Sequence, residues 1–276
     1  MRYATLAYGK HDAVYRQATM LIVSLLAHAP ALPDIVVVTD RPDRFAWFAN
    51  VVKVRVLTPG ELKTWMGANP FSMRQKLEAA RAVMPSEGEL AFLDADTLAS
   101  TDLGAFAASL ASRTLLMHKR EFELGANQRA GNRKLWGELD GRMFGGWQFS
   151  PNDSMWNSGV LALSVSDAGL LDDALALYDS MAEAGIRHFA TEQLVVGTVF
   201  GRTGRLRPAE RWFVHYWGNK DNFDLEINRR IDQFHRRRAT PQEAAEAFRK
   251  APILLPPEVR PHKLAKIRRW LRRDVK

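Results

Sequence analysis

The sequence predicts an α/β fold, a mostly parallel twisted sheet with helices on both faces. Short apolar runs rich in β-branched residues, such as Asp34–Thr39 (DIVVVT), have the character of strands buried on two sides. Longer helical segments alternate with them, and strand, helix, strand, helix in that order implies parallel pairing. The length allows it. A chain of 276 residues, 46% apolar and 25% charged, can bury about 70–75% of its unfolded surface.

Tyr3–Tyr8 (YATLAY) reads as the first strand. A helix over Asp12–His28 follows, with Asp12 placed to cap its start. Asp34–Thr39 is the second strand and the alternating Val51–Leu57 (VVKVRVL) the third. A helix over Ser72–Met84 leads into a further strand at Leu90–Leu93. Residues Lys119–Asp153 break the rhythm, with six glycines, Trp136 and Trp147 and no clear period. A stretch of that length reads as a lid or acceptor loop, or else contains an element that the periodicity does not reveal. A strand at Trp156–Leu163, a helix at Asp167–Ala184 and another near Thr191–Phe200 complete the body.

Charge divides the chain. The net charge is +8, yet residues 1–228 hold 24 basic and 26 acidic residues, whereas 229–276 hold 15 and five. The expected organisation is a body over 1–228 and a basic helical C-terminal extension over 229–276, broken by Pro252, Pro256, Pro257 and Pro261. Within 263–273, Leu264, Ile267 and Leu271 recur at helical spacing beside Trp270, ringed by Lys and Arg. That pattern suits an anionic membrane surface, with a helix docked on its own domain as the alternative. The near-neutral body argues against nucleic acid as a partner, and His235–Arg238 has no interleaved aromatic platform.

There is no cysteine, which excludes a disulfide scaffold, thiolate metal sites and a cysteine nucleophile. The longest apolar run, Ala18–Ala27, has half the roughly 20 residues needed to span a bilayer. It follows a strand and an aspartate, so a buried helix is a better reading than a secretion signal. The expected location is cytoplasmic, at the inner face of the cell membrane if the tail binds there.

Phe92-Leu93-Asp94-Ala95-Asp96 sets two carboxylates at the end of an apolar strand, where open α/β sheets gather their functional residues. Side chains two apart on a strand share a face. Two hard oxygen ligands in a crevice suit Mg²⁺ or Mn²⁺ shared with phosphate; the plainer alternative is a pair of turn-capping carboxylates. Trp156-Asn157-Ser158-Gly159 places a small polar group and a glycine at the head of a strand, where a ligand could come close. Glu192-Gln193 opens a helix, where the helix dipole alone could favour the carboxylate. His215-Tyr216-Trp217-Gly218-Asn219-Lys220 offers an imidazole, a glycine and a cation within six residues.

The order FLDAD, WNSGVL, Glu192-Gln193, HYWGNK resembles the GT-A glycosyltransferases of family 8 and their relatives over residues 2–220. The resemblance implies a Rossmann-like GT-A domain that moves a sugar from a nucleotide-diphosphate donor, a UDP-sugar by preference. It implies a glycan or lipid-linked acceptor in bacterial cell-surface polysaccharide synthesis. Asp94, Asp96 and His215 would bind Mn²⁺ (or Mg²⁺). Lys220 and Gly218 would sit on the phosphates, and Tyr8 and Asp40 would line the nucleoside pocket. Arg74, Lys76, Asp94, Ala95, Asn157 and Ser158 would contact the donor, and Glu192 with Gln193 the reacting face of the sugar. Glu192 stands where an aspartate is usual, and Asp221 follows Lys220 where the family has Pro-Trp. Whether the anomeric configuration is retained or inverted stays open. The alternatives are a sugar-phosphate nucleotidyltransferase, which the N-terminal Ala7-Tyr8-Gly9-Lys10-His11 does not favour, and a non-catalytic protein that binds membranes or polyanions.

Overall fold

A computed structural model describes residues 1–67, 73–126 and 129–253. Strand β1 (Arg2–Ala7) leads through helix α1 (Asp12–His28) into β2 (Asp34–Thr39), which pairs parallel to it. A 3₁₀ segment at Pro42–Phe48 carries the chain to the edge strand β3 (Val52–Val56). Helices α2 (Pro59–Met66) and α3 (Arg74–Ala82) return it to β4 (Glu89–Leu93), parallel to β1 on the other side. After a tight turn come β5 (Thr97–Ala99), α4 (Gly104–Ala111) and β6 (Leu115–Glu123). Helix α5 (Ala130–Leu139) and the small hairpin of β7 (Met143–Phe144) and β8 (Trp147–Gln148) precede the long β9 (Ser154–Ser164). Helices α6 (Gly169–Glu183) and α7 (Thr191–Gly201), strands β10 (Leu206–Pro208) and β11 (Phe213–His215), and helices α8 (Lys220–Arg236) and α9 (Pro241–Lys250) finish the described chain.

Seven of these strands form one sheet in the order β10-β6-β9-β4-β1-β2-β3, among the described residues. Strand β9 runs against its neighbours β4 and β6, and every other pairing is parallel. Alternation along the strands builds a core on each face. Tyr3, Ile35, Val37 and Leu93 pack under α1, α4, α8 and α9. Ala4, Val36, Val38 and Phe92 pack under α3, α6 and α7.

Helix α1 is apolar almost all round because it is covered twice, by the sheet and by α8 and α9. Arg16 donates to the Asn228 carbonyl at 3.0 Å, and Trp47 Nε1 to the Ala239 carbonyl at 2.9 Å. No helix of the described residues is long and apolar enough to cross a membrane.

Several expectations need correction. Asp12 does not cap α1: the capping position is His11, and the Asp12 carboxylate accepts from Arg44 at 2.6 Å instead. The stretch 119–153 is no open loop, since it holds the end of β6, α5 and the β7–β8 hairpin. Gly145 and Gly146, at φ 54° and 85°, form that hairpin's turn, where a positive φ at both central residues matches the twist of the strands. Helix α8 runs straight through residue 229, and Ile231, Phe234 and Phe248 are buried in the core shared with α1. The part of the basic segment up to residue 253 therefore packs on the body. Residues 254–276, with the 263–273 stripe and Pro256, Pro257 and Pro261, lie outside the described residues, as does Ser72.

Candidate functional site

The parallel strands deliver their carboxyl ends to one edge of the sheet. Because β9 is antiparallel, its beginning arrives at that same edge. Leu93, the last residue of β4, pairs with Val160, and the Asp94 amide donates to the Gly159 carbonyl at 3.0 Å. Asn157, Ser158 and Gly159 therefore stand beside Asp94. Asp94 and Asp96 do not lie on the strand itself. They flank a turn between β4 and β5, closed by Thr97 N–H on the Asp94 carbonyl at 3.1 Å. It is this turn, rather than strand alternation, that sets their carboxylates together. The third member comes from far along the chain. Strand β11 pairs with β5 so that His215 lies opposite Thr97, and the Tyr216 amide donates to the Asp96 carbonyl at 3.1 Å.

Asp94, Asp96 and His215 each offer a ligand atom, and these atoms lie within 4.8 Å of one another. His215 Nε2 is 3.3 Å from Asp96 Oδ1 and 3.7 Å from Asp94 Oδ2. Its orientation follows from its other side. Asn157 Oδ1 accepts the Gly159 N–H at 3.0 Å, and a backbone amide can only donate. The atom 2.7 Å from His215 Nδ1 is thus an acceptor, so Nδ1 carries a proton and Nε2 is the ring nitrogen turned to the two aspartates. Two carboxylates and an imidazole held through its Nδ1 side are a donor set that fits a divalent cation such as Mn²⁺. Burial would raise the Asp96 carboxyl, but His215 and Lys220, whose Nζ is 2.7 Å from Oδ2, hold it below the usual carboxylate range.

Gly159 leaves room for this imidazole. A Cβ at that position would lie 2.2 Å from His215 Nδ1.

Beneath the aspartates, Lys76 is buried rather than on a solvated helix face. Its Nζ is 2.7 Å from Asp94 Oδ1, 2.6 Å from the Ser158 carbonyl, 3.0 Å from Ser158 Oγ and 3.7 Å from Glu192 Oε1. Burial would strip its proton, but Asp94 and Glu192 outweigh that and raise its pKa. Glu192 is equally buried and accepts from Ser158 Oγ at 2.8 Å. Burial raises its carboxyl, with Lys76 opposing.

These residues floor a cleft of about 1280 Å³ lined by Tyr8, Lys76, Asp94, Ala95, Asp96, Asn157, Ser158, Glu192, Gln193, His215 and Lys220, together with Gln75, Lys119 and Phe189. Within the lining the Tyr8 hydroxyl accepts from Gln75 Nε2. Three expected residues are not brought into the lining. Asp40 accepts from Gly9 N–H at 3.1 Å and from the Tyr15 hydroxyl at 2.7 Å, tying the ends of β1 and β2 together. Arg74 grips Asp179 through two hydrogen bonds of 2.7 and 2.9 Å and Glu78 at 2.7 Å, locking α3 to α6. Gly218 sits in the 3₁₀ turn Trp217–Asn219, whose neighbours Trp217 and Lys220 do reach the cleft.

Sequence reasoning gave no role to His118, which stacks edge-on against His215. The one available signal was a histidine directly after the buried run Leu115–Met117.

No family model matches the chain, and no curated protein matches it. Among solved structures it is similar to the galactosyltransferase LgtC in complex with donor and acceptor sugar analogues, at 11% identity over 76% of this chain and 73% of that one, with a TM-score of 0.48. It is also similar to mouse xyloside xylosyltransferase 1 in its apo form, at 14% identity over 75% of this chain and 84% of that one, again with a TM-score of 0.48. At that overlap neither likeness fixes the activity of this chain.

Proposed function

We propose that the chain is a metal-dependent glycosyltransferase of GT-A type, moving a sugar from a nucleotide-diphosphate donor to a glycan or lipid-linked acceptor. The observation that carries this reading is the convergence of Asp94, Asp96 and Nε2 of His215 at the carboxyl edge of a mostly parallel sheet, on the floor of a cleft large enough for a nucleotide and two sugars. Asp94, Asp96 and His215 would hold Mn²⁺ or Mg²⁺, which would supply Lewis-acid stabilisation of the charge that develops on a leaving diphosphate. The chain's own residues do the rest. Lys220, half exposed and paired with Asp96, would exchange that carboxylate for a phosphate oxygen as a point charge. Tyr8 and Gln75 mark the nucleoside end of the cleft. Gln193 faces the sugar, while Glu192 works from below, holding Ser158 and Lys76 under the reacting centre.

Thermal unfolding with UDP, GDP, dTDP and CMP, each with and without Mn²⁺, tests the reading. A ligand at 100 times its Kd adds about 2.7 kcal/mol, or roughly 5–10 °C for a domain of this size. The expected result is a Mn²⁺-dependent shift with a nucleoside diphosphate, absent in Asp96→Ala. No shift with any nucleotide would overturn it. Pyrophosphate release from a nucleoside triphosphate and a sugar phosphate would instead favour a nucleotidyltransferase.

A further inference from the structure

Strands β6 and β9 lose register beside the aspartates. Met117 pairs with Leu161 and Lys119 with Asn157, so three residues of β9, Ser158–Val160, face the single residue His118. The bulge bends β9 at the glycine that receives His215, and the two imidazoles meet there, their centroids 5.5 Å apart and their planes at 88°. His118 is only 7% exposed. Its Nε2 lies 3.1 Å from the carbonyl of Phe213, two residues before His215 on β11, and a carbonyl can only accept, so Nε2 is the protonated nitrogen. Nδ1 is then a bare, buried acceptor without a partner in this conformation. Asn157, whose side-chain oxygen holds His215, pairs in register with Lys119, the residue after His118. A phenyl ring would fill this space with no polar atom to satisfy, so the nitrogens point to a task beyond packing.

We propose that His118 is a positioning residue for the site: by anchoring the Phe213 carbonyl and backing the His215 ring, it keeps Nε2 of His215 aimed between Asp94 and Asp96. The inference rests on the metal reading above for its consequence, though not for its geometry.

The test compares wild type, His118→Phe and His118→Gln, with Mn²⁺ alone as the titrant. His118→Phe keeps ring volume and edge-on packing and loses both nitrogens. His118→Gln can still donate to Phe213. The expected result is Mn²⁺ binding 10–100-fold weaker in His118→Phe by calorimetry. The His215 side chain should also lose its single Nδ1–H tautomer in ¹⁵N spectra of the metal-free protein. His118→Gln should recover most of both, with unfolding temperatures of both variants close to wild type. Wild-type Mn²⁺ affinity together with an unchanged tautomer in His118→Phe overturns the proposal. Should wild type bind no Mn²⁺, the metal reading falls, and the tautomer comparison still decides whether His118 orients His215. If His118→Phe does not fold, His118→Asn carries the same two readouts.

Discussion

Asn157 Oδ1 accepts a hydrogen bond from His215 Nδ1 at 2.7 Å, and this one contact decides which imidazole nitrogen faces the two aspartates. The same oxygen accepts the Gly159 N–H, so the amide cannot flip without losing both bonds. Partners of this kind set ligand orientation and basicity, and their loss typically costs 10–100-fold in metal affinity. Asn157→Ala should therefore weaken Mn²⁺ binding by that factor. The unpaired Gly159 amide should also cost stability, about 1 kcal/mol. Calorimetric titration of the free protein with Mn²⁺ reads the first effect, and wild-type affinity would show that His215 is oriented some other way.

Arg74 separates a donor contact from a structural clamp. Its guanidinium is mostly covered and forked onto Asp179, with Glu78 on its remaining edge. An Arg–carboxylate fork joining two helices is worth more than an exposed pair. Arg74→Ala should lower stability by about 1–3 kcal/mol and leave the Kd for a nucleoside diphosphate within about twofold of wild type. Asp179→Ala should do the same. A tenfold loss of nucleotide affinity in Arg74→Ala, with Asp179→Ala unaffected, would return Arg74 to the donor site.

Acid should destabilise the fold before the carboxylates titrate. His28, His118 and His188 are all held below the ordinary histidine value of 6.5, in each case by burial first. Arg249 adds to the effect at His28. Below pH 6.5 the unfolded chain takes up these protons while the folded chain still resists them, so stability falls as pH drops through that window. For His118 the window runs down to about 4. His28 packs edge-on against Phe248 between α1 and α9, with ring centroids 6.1 Å apart. His28→Phe should flatten the decline in unfolding temperature between pH 7 and pH 5. A slope identical to wild type would mean that His28 charges in the folded state at no cost.

The sheet was legible because β-branched runs such as Asp34–Thr39 are written for burial on both faces, and the structure puts strands and helices where periodicity placed them. Strand β6 was not legible. Only its first four residues, Leu115–His118, are buried, and the exposed Lys119 and Arg120 that follow erase the pattern. Of the site, the two aspartates could be named from residue type and position at a strand end, and His215 only through the resemblance that its HYWGNK motif helps to carry. What joins them could not, because the pairing of β5 with β11 involves three residues on each side and no periodicity. Lys76 shows the same limit from the other direction. Helical spacing says which side of α3 it occupies, and nothing local says that two carboxylates wait there to hold its charge in the interior.

Gly159 tests the packing of the site most directly. Its backbone is not in the left-handed region, so a side chain there brings no dihedral strain, and any penalty is steric. The added methyl of Gly159→Ala would meet His215 Nδ1 at 2.2 Å, the ring carbon Cγ at 2.5 Å and Cε1 at 2.7 Å. The imidazole cannot retreat, because Asn157 and His118 hold it from two sides. Overpacking of this kind costs about 1–3 kcal/mol, and the ring should be forced off the aspartates, with Mn²⁺ affinity falling at least tenfold. Removing the obstacle should remove the cost. In a His215→Ala background, Gly159→Ala should change stability by less than about 0.5 kcal/mol, a coupling that a double-mutant cycle reads by denaturant unfolding. Additive costs would place the clash elsewhere than on His215. If Gly159→Ala instead weakened nucleotide binding and left Mn²⁺ affinity intact, the glycine would be there for the ligand's approach, and the close packing of His215 on β9 would not be what the site depends on.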